Sequence, residues 1–143
     1  MDGVKRYVLL VDDETDIVKI VGKRFEVAGF EVGIAVDGEA VLAKVRQRAP
    51  DVLILDVMLP KLNGYEVCTI LKQNAQTKRI PIIMFSGLSK EEDYWKGMNC
   101  GADAFLTKPA KFEALEQLVN RLIAALHPLI EKSREQAPPA EPA

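Results

Sequence analysis

Five short apolar runs alternate with amphipathic segments along this chain, and that alternation restricts the fold more than any other feature. Tyr7–Val11 (YVLLV) is too short for a helix and stops at two aspartates. Glu14–Ala28 has helical spacing, with Ile17, Ile20, Val21 and Phe25 on one side, and Gly29 stands where a left-handed residue closes a helix. Phe30–Val36 is expected as a second strand and Glu39–Gln47 as a second helix carrying Val41, Leu42 and Val45. Val52–Leu55 makes a third strand that runs into Asp56, and after the loop MLPKLNG a third helix is expected over Tyr65–Asn74. Ile80–Phe85 reads as a fourth strand with Pro81 at its start, where a missing donor is tolerated. Ser89 to Glu92 fits a capping box for a fourth helix that contains the only tryptophan, Trp95. Its periodicity puts Gly97 and Cys100 near the sheet and Trp95 and Met98 nearer the outer side. Ala104–Thr107 is a short fifth strand. The last helix carries Leu115, Leu118, Val119, Leu122 and Leu126 on one stripe, with His127 near its end and Pro128 expected to end or kink it.

Near-continuous apolar strands alternating with helices imply an α/β fold, a doubly wound five-stranded parallel sheet covered on both faces, because right-handed crossovers put helices there. At 143 residues this is a single domain by length. Ligands in such open sheets bind beyond the carboxyl ends of the strands, near the switch in strand order. The residues at those ends are Asp12 and Asp13, Asp56, Ser86 and Lys108. Each alone has an ordinary structural role as a helix cap, a turn residue or a solvated lysine ahead of Pro109. Their convergence on one sheet edge does not.

Neighbouring carboxylates repel, and each raises the cost of ionising the others. A hard divalent cation relieves the repulsion, and Mg2+ takes carboxylate oxygens together with waters and phosphate oxygens. Three carboxylates, one Mg2+ and the Lys108 ammonium sum formally to zero. Such a site can receive a phosphoryl group without accumulating charge. A carboxylate nucleophile that forms an acyl phosphate is established chemistry, and the transfer needs positioning and charge neutralisation more than acid–base groups.

Composition narrows the remaining classes. Lys plus Arg is 19 against 21 for Asp plus Glu, with a pI near 5.5, which disfavours direct nucleic-acid binding through phosphate contacts. Cys68 and Cys100 lie far apart in sequence with no zinc or disulfide spacing and read as small buried hydrophobes. No apolar run approaches a membrane span, and the start of the chain does not read as a signal peptide, so a cytoplasmic location is expected. A haloacid-dehalogenase-type phosphatase wants a second acid two residues past its nucleophile, where Met58 stands. A dinucleotide-binding turn wants glycines after the first strand, where VDDETD has none.

The segments VLLVDDE, VLILDVMLPKLNGYE, IIMFSG and GADAFLTKPA resemble the successive blocks of the response-regulator receiver family of two-component signalling, across roughly residues 5–127. The resemblance implies a flavodoxin-like (βα)5 fold and a regulatory phosphoacceptor rather than an enzyme. It implies that Asp56 accepts the phosphoryl group, and that Asp13, Asp56 and the Met58 carbonyl ligate Mg2+ with Asp12 acting through water. It implies that Ser86 hydrogen-bonds the phosphoryl group, that Lys108 pairs with it, and that Phe105 is the switch aromatic. Pro60 and Gly64 match the loop that shapes the acceptor site. The implied donor is a phosphohistidine on a sensor histidine kinase or histidine phosphotransfer protein. The implied output is a downstream protein target on the face of the fourth helix, fifth strand and fifth helix. Ala104 and Ala110 depart from residues frequent in the transcription-factor branch, so its dimer does not carry over directly, although a homodimer on phosphorylation stays open. Phe105 has no hydroxyl, so its switching rests on packing. A pseudo-receiver, a binding module of the same fold that works unphosphorylated, is the alternative. Residues 1–132 are expected to form the receiver domain. Residues 133–143, with Pro138, Pro139 and Pro142, are expected to be a disordered tail or the stump of a linker.

Overall fold

The computed structural model describes residues 5–136, the side chains from 127 onward excepted. Strands β1 (Tyr7–Val11), β2 (Glu31–Ala35), β3 (Val52–Leu55), β4 (Ile82–Ser86) and β5 (Ala104–Thr107) form one sheet. They alternate with helices α1 (Thr15–Val27), α2 (Gly38–Gln47), α3 (Gly64–Gln73), α4 (Glu91–Asn99) and α5 (Phe112–Gln136). The strand order is β2-β1-β3-β4-β5 and every pairing is parallel. This is the flavodoxin-like order, whose switch point lies between β1 and β3.

Period-two alternation explains why β1, β3 and β4 are apolar almost throughout: successive side chains enter opposite layers, and both layers are covered. Leu9, Val11, Leu53, Leu55, Ile82 and Met84 face a core closed by α2, α3 and the end of α4. Val8, Leu10, Val52, Ile54 and Ile83 face the other core, closed by α1 and α5 through Val18, Phe25, Leu115 and Val119. Phe25 is fully buried and meets Phe30 and Phe112 edge-on, with ring centroids 5.4 and 4.8 Å apart.

Helix ends follow local chemistry. Gly29 has φ +100°, and α1 closes through its N–H to the Glu26 carbonyl. Asp37 caps α2 by accepting the Ala40 N–H at 2.8 Å. Asn63 caps α3 in a reciprocal box with Glu66.

Four expectations need correcting. The α1 face that packs is Val18, Gly22 and Phe25, whereas Ile17 and Ile20 are exposed, because the helix is rotated so that glycine meets the sheet. The α4 cap lies one residue later than Ser89: Asp93, itself buried, accepts the Lys90 N–H at 3.1 Å. Met98 packs against the core instead of facing outward. Finally, α5 runs to Gln136, so neither His127 nor Pro128 ends it, and positions 133–136 of the expected tail are helical. The helix is already nucleated and docked by Leu115 and Val119, so one missing backbone donor, costing about 3 kcal/mol, does not stop it. Residues 137–143 of that tail lie outside the described residues.

The aromatic cluster sets the stability of the α1–α5 layer. Phe25→Ala is expected to destabilise the protein by about 3–5 kcal/mol, read as a lower urea midpoint with an unchanged slope. A loss below about 1 kcal/mol would mean that Phe25 is not an anchor of this core.

Candidate functional site

The sheet ladder extends one residue beyond three of its strands, and those residues carry the site. The Asp12 N–H donates to the Ala35 carbonyl (3.2 Å), the Asp56 N–H to Val11 (3.0 Å) and the Lys108 N–H to Ser86 (2.8 Å). Asp12, Asp56 and Lys108 are therefore fixed by backbone bonds at the carboxyl edge of β1, β3 and β5. Ser86, expected just after β4, is its last residue and fully buried.

Asp12 and Asp56 are nearly fully buried and Asp13 is exposed, and one carboxylate oxygen from each lies within 4.8 Å of the other two. The Lys108 ammonium is bonded to Asp12 Oδ2 and stands 3.6 Å from Asp56 Oδ2. It also lies 5.2 Å from the centre of the Phe85 ring. The remaining oxygens are partly satisfied. Asp12 Oδ1 accepts the Glu14 N–H (2.9 Å), and Asp56 Oδ1 accepts the Met58 N–H (3.3 Å). Ser86 Oγ accepts the Leu88 N–H at 3.3 Å.

One ammonium cannot balance three carboxylates, and the group leaves a formal charge of −2. The effect reaches the titration of Asp56. Burial pushes its carboxyl above the usual carboxylate range and Asp12 adds to that, against Lys108 and the Met58 and Ser86 hydrogen bonds. A Mg2+ ion suits the donor set, since it prefers hard oxygen ligands at about 2.1 Å, which puts opposite ligands about 4.2 Å apart. The three carboxylate oxygens, all within 4.8 Å of one another, are close enough to gather round one such ion. A cleft opens on the same edge, with Asp13, Asp56, Met58, Leu88 and Lys108 among its lining residues, so the group is accessible.

The loop after Asp56 is shaped by close backbone approach. An added Cβ at Gly64 would lie 2.3 Å from the Asp56 carbonyl oxygen, so only glycine fits there. The Gly64 N–H donates to Val57 (2.8 Å). Pro60 lines the cleft, and the Met58 side chain is exposed at its mouth.

Phe105 sits away from the carboxylates, half-buried on β5 under α4: an added Cβ at Gly97 would lie 3.0 Å from Phe105 Cδ2. Its ring is 6.1 Å from Tyr94, which meets Trp95 edge-on at 5.2 Å. Trp95 is 53% exposed and its indole N–H donates to Glu91 (3.4 Å). An aromatic path therefore runs from the sheet to the outer face of α4.

All the site residues expected from the sequence are thus brought to one edge, except Phe105, which is one packing layer away. The reading of the residues missed the Lys108–Asp12 pair, which no spacing signals. It also missed the Asn63 cap, for which Asn63 followed by Glu66 was the available signal.

Comparison with known proteins agrees with this fold. Residues 8–120 match the family described as the response regulator receiver domain. The chain is 38% identical over 116 residues to the DNA-binding dual master transcriptional regulator RpaA of Synechocystis, covering 81% of this chain and 48% of RpaA. The chain thus spans about half the length of the first such curated relatives. Protein PilG of Pseudomonas aeruginosa is 33% identical over 128 residues, covering 90% of this chain and 93% of PilG. The chemotaxis response regulator CheY4 of Vibrio cholerae superposes with a TM-score of 0.78 at 34% identity, covering 83% of this chain and 99% of CheY4.

The raised Asp56 pKa has a stability consequence. The folded carboxyl keeps its proton to a higher pH than the unfolded one, so stability falls as pH rises from the ordinary Asp value of about 3.9 through the folded pKa. Asn cannot ionise. Metal-free Asp56→Asn is therefore expected to melt at a higher temperature than the parent at pH 7, with the gap narrowing towards pH 4. A variant that melts below the parent at pH 7 would contradict the raised pKa.

Proposed function

The chain belongs to the response-regulator receiver family of two-component signalling, and on that premise we propose that it is a phosphorylation-dependent switch whose acceptor is Asp56. The observation that carries the reading is the convergence of Asp12, Asp13 and Asp56 with Lys108 at the sheet edge. The donor is a phosphohistidine on a sensor kinase or phosphotransfer protein. An Asp56 oxygen attacks phosphorus in line, the P–N bond breaks as the P–O bond forms, and the imidazole leaves. Bound Mg2+, held by Asp13, Asp56 and the Met58 carbonyl with Asp12 through water, would neutralise charge on the phosphoryl oxygens. Lys108, already within 3.6 Å of Asp56, turns from the carboxylates to the new phosphoryl oxygen. The buried Ser86 hydroxyl, beside Asp56, donates to another. The chain acts as a regulatory phosphoacceptor rather than an enzyme with a released product of its own. It works in the cytoplasm and contacts no nucleic acid or membrane itself. Among the described residues no helix is long and apolar enough to cross a membrane.

Output follows from the aromatic path. Ser86 pairs with Thr107 in β5 and Met84 with Phe105, so a shift of Ser86 towards the phosphoryl group bears on the strand that carries Phe105. Phosphoryl contacts stabilise one of two pre-existing states, and the face of α4, β5 and α5 differs between them. The downstream protein target binds that face. Exposed Trp95 is an aromatic anchor of the type favoured at partner surfaces.

Acetyl phosphate with Mg2+ is expected to add one phosphoryl mass to the protein. Asp56→Asn and EDTA should each abolish the addition, and Asp13→Asn should weaken Mg2+ binding at least tenfold by removing a ligand from a site that has few. A full, Mg2+-dependent addition on Asp56→Asn would overturn the acceptor assignment, and no addition to the parent would favour a binding module that works unphosphorylated.

Beryllofluoride with Mg2+ is expected to change Trp95 fluorescence. Asp56→Asn should remove the change, and Phe105→Ala should blunt it while leaving phosphorylation largely intact. An equal change in the Asp56→Asn protein would report metal binding alone and contradict the proposed output face.

A further inference from the structure

The segment from Met58 to Asn63 carries the carbonyl expected to ligate the metal, and it is anchored from outside the site. Its inner end is tied by the Met58 N–H to Asp56 Oδ1 and by Gly64 packed on the Asp56 carbonyl. Its outer side rests on the first turn of α2. The Gly38 N–H donates to the Pro60 carbonyl at 3.3 Å. An added Cβ at Gly38 would lie 2.3 Å from the Leu62 carbonyl oxygen and 2.5 Å from Leu62 Cβ. Backbone meets backbone here, so a methyl group could be accommodated only by moving the loop. Lys61, between these contacts, has φ +70°, a left-handed conformation uncommon for a lysine. Its ammonium lies 3.7 Å from both Asp37 Oδ2 and Glu39 Oε2 on that same turn. Asp37 thereby has two roles, since its other oxygen caps α2 through the Ala40 N–H.

From this juxtaposition we infer that Gly38 is a positioning residue for the phosphoacceptor site. The α2 N-terminus fixes the height of the loop, and so the place of the Met58 carbonyl relative to Asp13 and Asp56, while touching neither metal nor phosphoryl group. Partners that orient ligands from outside the site are typically worth 10–100-fold in metal affinity. The inference rests on the metal reading proposed above and extends it to a helix that contributes no site residue. It gives α2, otherwise remote from the chemistry, a route by which anything bound to its first turn would alter phosphorylation.

The test is Mg2+ titration of the full chain by calorimetry, with amide hydrogen exchange across the loop as a second readout. Gly38→Ala, which suits a helix better than glycine, is expected to stay folded and to bind Mg2+ about tenfold more weakly or worse, with faster exchange at Leu59 and Leu62. A merely structural glycine would lower the melting temperature and leave the Mg2+ affinity within twofold of the parent, which would overturn the inference. Should Gly38→Ala fail to fold, Lys61→Met decides by sign. Lys61 is a surface residue, and removing a cation near a Mg2+ site would tighten binding by charge alone, whereas loss of the anchor weakens it roughly two- to fivefold. Unchanged or tighter binding in Lys61→Met would then overturn the inference. If the parent itself binds no Mg2+, the metal reading fails and this inference falls with it. A parent that binds alongside a Gly38→Ala protein that binds equally well isolates the failure to the positioning role.

Discussion

Two nearly fully buried carboxylates share one ammonium, and the structure is organised around keeping Asp12, Asp56 and Lys108 together at one edge of the sheet. At an effective dielectric near 20, unit charges 4 Å apart interact by about 4 kcal/mol. Attraction to Lys108 and repulsion between the carboxylates are therefore of similar size, and neither can be left to flexible side chains. The sheet meets that demand by extending its ladder to the backbone amides of all three residues. The parallel arrangement is what allows it, because only parallel strands end together on one side. The core beneath is apolar on both faces and holds those ends rigid.

An incompletely neutralised site is also a responsive one. Lys108 is already present but bonded to Asp12, so a new anionic oxygen on Asp56 competes for an ammonium within reach. Ser86 is buried beside Asp56, with its hydroxyl oxygen engaged by the Leu88 amide and its backbone paired with β5. The groups proposed to meet phosphoryl oxygens on Asp56 are thus each tied to a different strand. In the proposed switch, a change of charge at Asp56 would bear on β4, β5 and, through Phe105 and Tyr94, on α4.

Much of this was legible in the sequence, for physical reasons. Alternating apolar runs fix a covered parallel sheet, and strand ends in such a sheet fix where Asp12, Asp13, Asp56, Ser86 and Lys108 must meet. What was not legible depends on contacts between distant segments. The rotation of α1 that exposes Ile17 and Ile20 is set by how Gly22 and Phe25 fit the sheet, which periodicity alone does not determine. The α4 cap shifted from Ser89 to Lys90 because buried Asp93 took the role expected of Glu92. Pro128 was expected to end or kink α5, but helix boundaries respond to docking already achieved upstream. The Lys108–Asp12 pair and the contact of α2 with the loop after Asp56 join residues far apart in sequence, and no local pattern encodes them.

The account stands on Asp56 being the residue that becomes an acyl phosphate. Reduction of the phosphorylated protein with borohydride converts such an aspartate to homoserine, and peptide mapping then locates it. Homoserine at Asp56 alone, in an amount that follows the phosphoryl content, is the expected result. Homoserine at Asp12 or Asp13, or none in a protein that carries the phosphoryl mass, would contradict the account.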